Sequence, residues 1–158
     1  MPVSLVNAAS TGSSGTVMVS GNMPAFSVYL SANQTVTTNI FSQVAFNTEE
    51  FDTNNNFNTS TSRFTPTVAG YYQINFVLNF LTGANTVIAS IYKNGVEYSR
   101  GTRVDSTISG LSSFIAALVY CNGSTDYIEA YGFTSGTVFA GGAAGSACRF
   151  SGSMVRGA

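Results

Sequence analysis

Between residues 71 and 80 the chain alternates without a break. Tyr72, Ile74, Phe76, Leu78 and Phe80 are apolar, and Tyr71, Gln73, Asn75, Val77 and Asn79 fall between them. Successive side chains of a strand point to opposite faces, so a strict period of two predicts a strand with one apolar face against a core. A helix would scatter these same residues around its whole circumference. Similar β-rich runs lie at 25–30, 86–93, 96–100, 111–121, 126–133 and 148–155. Asn54-Asn55-Asn56, Gly83-Ala84-Asn85, Asn94-Gly95, Ser109-Gly110, Asn122-Gly123 and Gly141-Gly142 separate them. Asn94-Gly95 is the strongest hairpin signal, because both residues tolerate the positive φ of a two-residue turn. No segment has helical apolar spacing behind a capping box. The expectation is an all-β domain: a two-sheet sandwich, a jelly roll or a barrel.

Composition narrows what such a domain does. The chain has 158 residues, enough for one ordinary domain. Charged residues make up only 8%, against about 25% in an average soluble domain. Six Lys/Arg and seven Asp/Glu leave a net charge of -1, which gives no basis for gripping nucleic acid or an anionic membrane surface. No apolar run approaches the roughly 20 residues of a spanning helix, so no membrane insertion is expected. An aromatic share of 13% supplies ample burial. So few charges imply a surface rich in Ser, Thr and Asn, part of it covered by another subunit.

With no His, mechanisms that need imidazole as base, shuttle or zinc ligand are closed to this chain alone. Nothing activates the abundant Ser and Thr hydroxyls, and the sole lysine, Lys93, belongs to a turn. No enzyme activity and no cofactor are expected. Glu49, Glu50 and Asp52 are read as a charged loop without an opposing acid, so a two-carboxylate glycosidase finds no support. The sequons at Asn33, Asn58 and Asn122 are read as accidents of an Asn/Thr/Ser-rich composition.

The middle of the chain resembles the globular-head signature of the complement C1q family. Phe46, Asp52, Phe57, Phe64, Gly70, Tyr72, Ile74 and Phe76 stand at the family's spacing, with Ile74 where the family usually has an aromatic. Ala25-Phe26-Ser27-Val28 is similar to the opening strand, Ile91-Tyr92-Lys93-Asn94-Gly95 to the central hairpin, and Phe150-Ser151-Gly152-Ser153 to the closing strand. The resemblance implies a ten-stranded jelly roll over residues 24–158 that assembles as a homotrimer, an architecture shared with tumour-necrosis-factor-like (TNF-like) cytokines. Phe26, Tyr71, Tyr72, Phe76, Phe114, Tyr120 and Phe150 then lie on the inner sheet, divided between core and trimer axis in a way the sequence leaves open. Several heads of the family hold calcium at the trimer; Glu49, Glu50, Asp52, Asp105 and Asp126 are carboxylates available for it, otherwise read as solvated loop charges. The family topology puts Cys121 and Cys148 at opposite ends of one sheet, too far apart for a disulfide.

Residues 1–23 read as an arm or linker around Ser10-Thr11-Gly12-Ser13-Ser14-Gly15, with a short strand at 16–20. The 136–147 stretch is a connection into the last strand, or a place where three chains approach an axis. No collagen-like stalk is present, and the cysteines of the animal heads have no counterpart, which argues against a complement or adipokine role. Leu5-Val6-Asn7-Ala8-Ala9 is similar to the starts of phage tail-fibre and appendage proteins, and Met1-Pro2 opens no signal peptide. The expected function is therefore a trimeric bacteriophage virion protein, made in the host cytoplasm. It would bind other virion proteins through its arm and serve as a tail-fibre tip facing a host-surface receptor or glycan, or as capsid decoration. The alternative is an extracellular, lectin-like recognition module.

Overall fold

The computed structural model describes residues 23–80, 86–105, 110–143 and 148–158. The short strand expected at 16–20, like most of the arm, lies outside them. The strands in chain order are β1 (Ala25–Tyr29), β2 (Gln34–Thr35), β3 (Ser42–Gln43), β4 (Thr48–Asp52), β5 (Phe57–Asn58), β6 (Arg63–Phe64) and β7 (Gly70–Asn79). There follow β8 (Thr86–Lys93), β9 (Val96–Arg100), β10 (Val104–Asp105), β11 (Ser112–Cys121), β12 (Ile128–Thr134), β13 (Val138–Phe139) and β14 (Arg149–Gly157). No helix occurs among the described residues. The five-stranded sheet runs β11-β7-β14-β1-β4. The seven-stranded sheet runs β10-β8-β12-β6-β5, with β9 pairing β8 and β3 pairing β12. Strands β2 and β13 form a separate ribbon, and every pairing is antiparallel. This is the expected jelly roll, with more segments than ten because six of the fourteen are two-residue pieces of irregular edges and crossings.

The alternation read from sequence is the alternation observed. Along β7, Tyr72, Ile74, Phe76 and Leu78 point into the sandwich and are fully buried, and Tyr71, Asn75 and Val77 face outward. The inward rings form one cluster in which Phe150 is the hub. Its centroid lies 5.0 Å from Phe26, 5.6 Å from Phe46, 6.3 Å from Phe57 and 6.4 Å from Phe76. Phe64 closes the cluster, stacked 4.2 Å from Phe26. The motif phenylalanines are therefore packing residues from both sheets that meet in the core.

Two motif positions have backbone reasons. Gly70 begins β7 with ordinary φ, and what requires glycine is closeness: a Cβ there would collide with the Arg156 carbonyl oxygen and the Met154 methyl group. Gly70→Ala is expected to cost about 1–3 kcal/mol by overpacking, read as a lower urea midpoint at unchanged slope. Asp52 ends β4, and its Oδ2 accepts the Phe57 amide at 2.6 Å, tying the turn into β5. Asn94 and Gly95 both have positive φ, 54° and 78°, at the tip of the β8–β9 hairpin.

One expectation is corrected. Glu49, Glu50 and Asp52 are not in a loop; they lie on edge strand β4, paired to β1 across a register shift. Their charges conceal the strand in the sequence, and charged side chains are what an exposed edge carries to resist further pairing.

Cys121 pairs with Gly70 at one end of β7, whereas Arg149, next to Cys148, pairs with Val77 near the other. Both thiols are buried and free. Burial pushes each up to about 11 from 9.0, and burial likewise raises the Tyr72 phenol. Well below pH 9.0 these groups are protonated in folded and unfolded chains alike. Above it the unfolded chain ionises first, so stability falls as pH rises toward about 11, with Tyr72 adding from pH 10.0 upward. A falling melting temperature over that interval checks this, and replacing both cysteines with Ala should flatten its onset.

Candidate assembly interface

The sheets divide the seven aromatic candidates into two groups. Phe26, Tyr72, Phe76 and Phe150 are core residues. Tyr71, Phe114 and Tyr120 stand on the outer face of the five-stranded sheet. Tyr72 is wholly buried, and its hydroxyl donates to the Val68 carbonyl at 2.6 Å.

Strand β11 has the alternation of β7 with the outward positions also apolar. Ile115, Val119 and Cys121 point inward, and Phe114, Leu118 and Tyr120 point out, 67%, 51% and 41% exposed. The register sets Phe114 opposite Val77, Ala116 opposite Asn75, Leu118 opposite Gln73 and Tyr120 opposite Tyr71. The Tyr71 and Tyr120 rings are 5.4 Å apart. Beyond β7, Ser151 and Ser153 of β14 oppose Asn75 and Gln73, with Arg149 opposite Val77 and Arg156 opposite Tyr71 towards the two ends, so the face grades from an apolar stripe on β11 to polar groups bounded by cations. No β7 or β11 residue is charged. Leu118 is not among the aromatic candidates; the β11 alternation marks it as outward once Ile115 and Val119 are assigned inward.

Charges begin at the border of the face. Arg149 pairs with Glu50, and Ser27 donates to Glu50 Oε2 at 2.7 Å. The Ser27 hydrogen bond, then Arg149, holds the Glu50 carboxyl below its ordinary range.

Strand β11 is the sheet edge, but that edge is covered. Tyr98 donates its hydroxyl to the Leu118 carbonyl at 3.0 Å, and Lys93 donates its ammonium to the Tyr120 carbonyl at 2.7 Å. Lys93, expected in a turn, ends β8 beside it and pairs with Asp126 at 2.9 Å. With these carbonyls occupied, another chain cannot add as a strand there, and contact is left to the face.

Asp105 and Asp126, the other two carboxylates considered for calcium, are held by neighbouring groups of the fold. Asp105 pairs with Arg103, and Asp126 accepts from Asn94 and the Asn122 amide. Among the described residues no three acidic or thiol groups come together in a cation cage. The Asn122 side chain accepts amides of Ser124, Thr125 and Asp126, so this sequon residue shapes a turn. An open groove of about 460 Å³ lined by Glu49, Asn55–Asn58, Thr59, Thr65 and Thr67 lies beside β5.

Residues 25–152 match the family model of the C1q domain. The chain belongs to the C1q family. Among solved structures, it is similar to the globular domain of zebrafish complement 1qA protein, with 18% identity, a TM-score of 0.65, and coverage of 85% of this chain and 99% of that one. Murine APRIL aligns with 8% identity and a TM-score of 0.66, covering 84% and 99%. Eiger TNF from S. frugiperda aligns with 10% identity and a TM-score of 0.58, covering 86% and 93%. At these identities the likeness is one of fold. No curated protein matches. In this C1q domain the outer face of the five-stranded sheet carries the exposed apolar stripe.

Proposed function

We propose that this chain is a non-enzymatic virion protein whose C1q head is a homotrimer. The arm, residues 1–23, joins the head to the particle, and the head serves as an appendage tip or as capsid decoration. The observation that carries the assembly is the stripe of Phe114, Leu118 and Tyr120, flanked by Tyr71 and Val77, on two neighbouring strands without a charged residue. Burying a Phe or Leu side chain stabilises by about 1.5–3 kcal/mol, so covering these three with another subunit favours association. Obligate interfaces are apolar at their centre and bury about 2,000 Å² or more. The C1q membership supports a trimer, and the charge-poor, Ser/Thr/Asn-rich composition and the similarity of Leu5–Ala9 to phage appendage proteins support the particle.

Cryo-electron microscopy of the particle tests the placement. Threefold density at tail appendages supports the tip, and density on the capsid lattice supports decoration. Particles without the chain, together with its recovery from the medium, would overturn the virion reading in favour of a secreted recognition module.

A further inference from the structure

The opposite face of the sandwich holds a buried charge the assembly does not explain. Glu129 lies on β12 with Ile128 and Ala130 turned into the core, so its side chain takes the outer face of the seven-stranded sheet. It is nevertheless only 1% exposed. Its Oε1 accepts Arg63 Nε at 2.9 Å and Gln43 Nε2 at 3.1 Å. Its Oε2 is buried and has no hydrogen-bond partner among the described residues. A carboxylate oxygen held dry without a donor is costly, and folds keep few of them.

Its surroundings are specific. Tyr92 stands directly across the strand pair from Glu129, and Tyr127 and Tyr131 flank it two residues away on the same face. Tyr92 and Tyr131 stack at 4.0 Å. Arg63 donates its Nε to the carboxylate and lies 4.1 Å over the Tyr127 ring. Its side chain is 42% exposed, and neither terminal nitrogen has a partner among the described residues. One carboxylate oxygen thus lacks a donor, and the half-exposed guanidinium beside it has its terminal fork open to an acceptor. Arg63 and Glu129 cancel in charge, so the spot favours neither a free anion nor a free cation. A pair of neighbouring hydroxyls meets both needs, because each hydroxyl donates and accepts.

We infer that Glu129, Arg63 and the Tyr92/Tyr127/Tyr131 rings form a saccharide-binding site on the outer face of the seven-stranded sheet, taking a vicinal diol of a hexose. One hydroxyl donates to Glu129 Oε2, its neighbour accepts from the Arg63 fork, and the sugar's C–H surface packs on the tyrosines. Arg63, the exposed partner of the carboxylate, shifts to admit the hydroxyl. The inference rests on the reading of the head as an appendage tip and gives that tip a ligand class, but does not require the trimer.

Saturation-transfer NMR with D-galactose, D-mannose and D-glucose tests it on the full chain, with light scattering on the same sample. Transfer from at least one hexose is expected. Glu129→Gln, which keeps the side-chain shape, should weaken binding about 10–100-fold at an unchanged or higher melting temperature, since a charged hydrogen bond is lost and a dry charge removed. Arg63→Lys, which keeps the charge without the fork, should weaken it as well and guards against a misfolded first variant. No transfer from any of the three sugars, or undiminished binding by folded Glu129→Gln, overturns the site. A monomer in the light-scattering channel counts against the assembly alone.

Discussion

Phe114→Glu is expected to convert the trimer into folded monomers. Phe114 is the most exposed aromatic of the outer face, yet its backbone is locked into a ten-residue pairing between β11 and β7. Its side chain makes no contribution to the sandwich interior, so a carboxylate there meets only solvent in a single chain. Across a threefold interface the same substitution puts three carboxylates on apolar surface, each without a cation on β7 or β11 to answer it. Desolvating an unpaired charge costs several kcal/mol per ion, and removing three aromatic contacts adds to that. Association should weaken by at least about a thousandfold. Sedimentation velocity would read the change from three chains to one, with the β-sheet circular dichroism retained. A trimer that persists in Phe114→Glu would remove this face from the interface.

Phe150→Ala should be the most damaging single truncation in the core. Phe150 touches four other rings, contributed by β1, β5, β7 and the segment before β4, so its removal leaves a cavity bounded by both sheets. Phe-to-Ala changes in cores cost about 3–5 kcal/mol, a large part of the 5–15 kcal/mol that holds a typical domain folded. Chemical denaturation should show the loss as a lower midpoint. A change under about 1 kcal/mol would mean that the rings repack around the gap. Phe114→Ala, by contrast, should leave the folding of a dissociated chain nearly unchanged, which separates core aromatics from face aromatics.

The strands that could be read from sequence are those with an unambiguous period. Tyr71–Phe80 announces β7, and Asn94-Gly95 announces the β8–β9 hairpin, because local chemistry dictates each. The resemblance to the C1q family implies the topology, which the pairing of Cys121 with Gly70 and of Arg149 with Val77 bears out. Strand β4 was hidden because Glu49, Glu50 and Asp52 have low strand preference, and only the partner strand β1 holds them extended. The two-residue strands escaped for a related reason: too short to show a period, they exist by tertiary pairing.

The face was half legible. Alternation says that Tyr71 and Tyr72 part company, but not which of the two faces the other sheet. That is fixed by the rings of Phe26, Phe46 and Phe64 arriving from elsewhere in the chain. Glu129 and Arg63 were not legible as a pair at all. They are far apart in sequence, Arg63 on a two-residue strand that shows no period, and meet only because β6 lies beside β12.

Sedimentation equilibrium of the purified full chain, taken to the lowest concentration the optics follow, bears most directly on the whole account. A single species with the mass of three chains, holding together on dilution, is the predicted result. A stable, soluble monomer at every concentration would mean that Phe114, Leu118 and Tyr120 lie in water at no cost, and would contradict it.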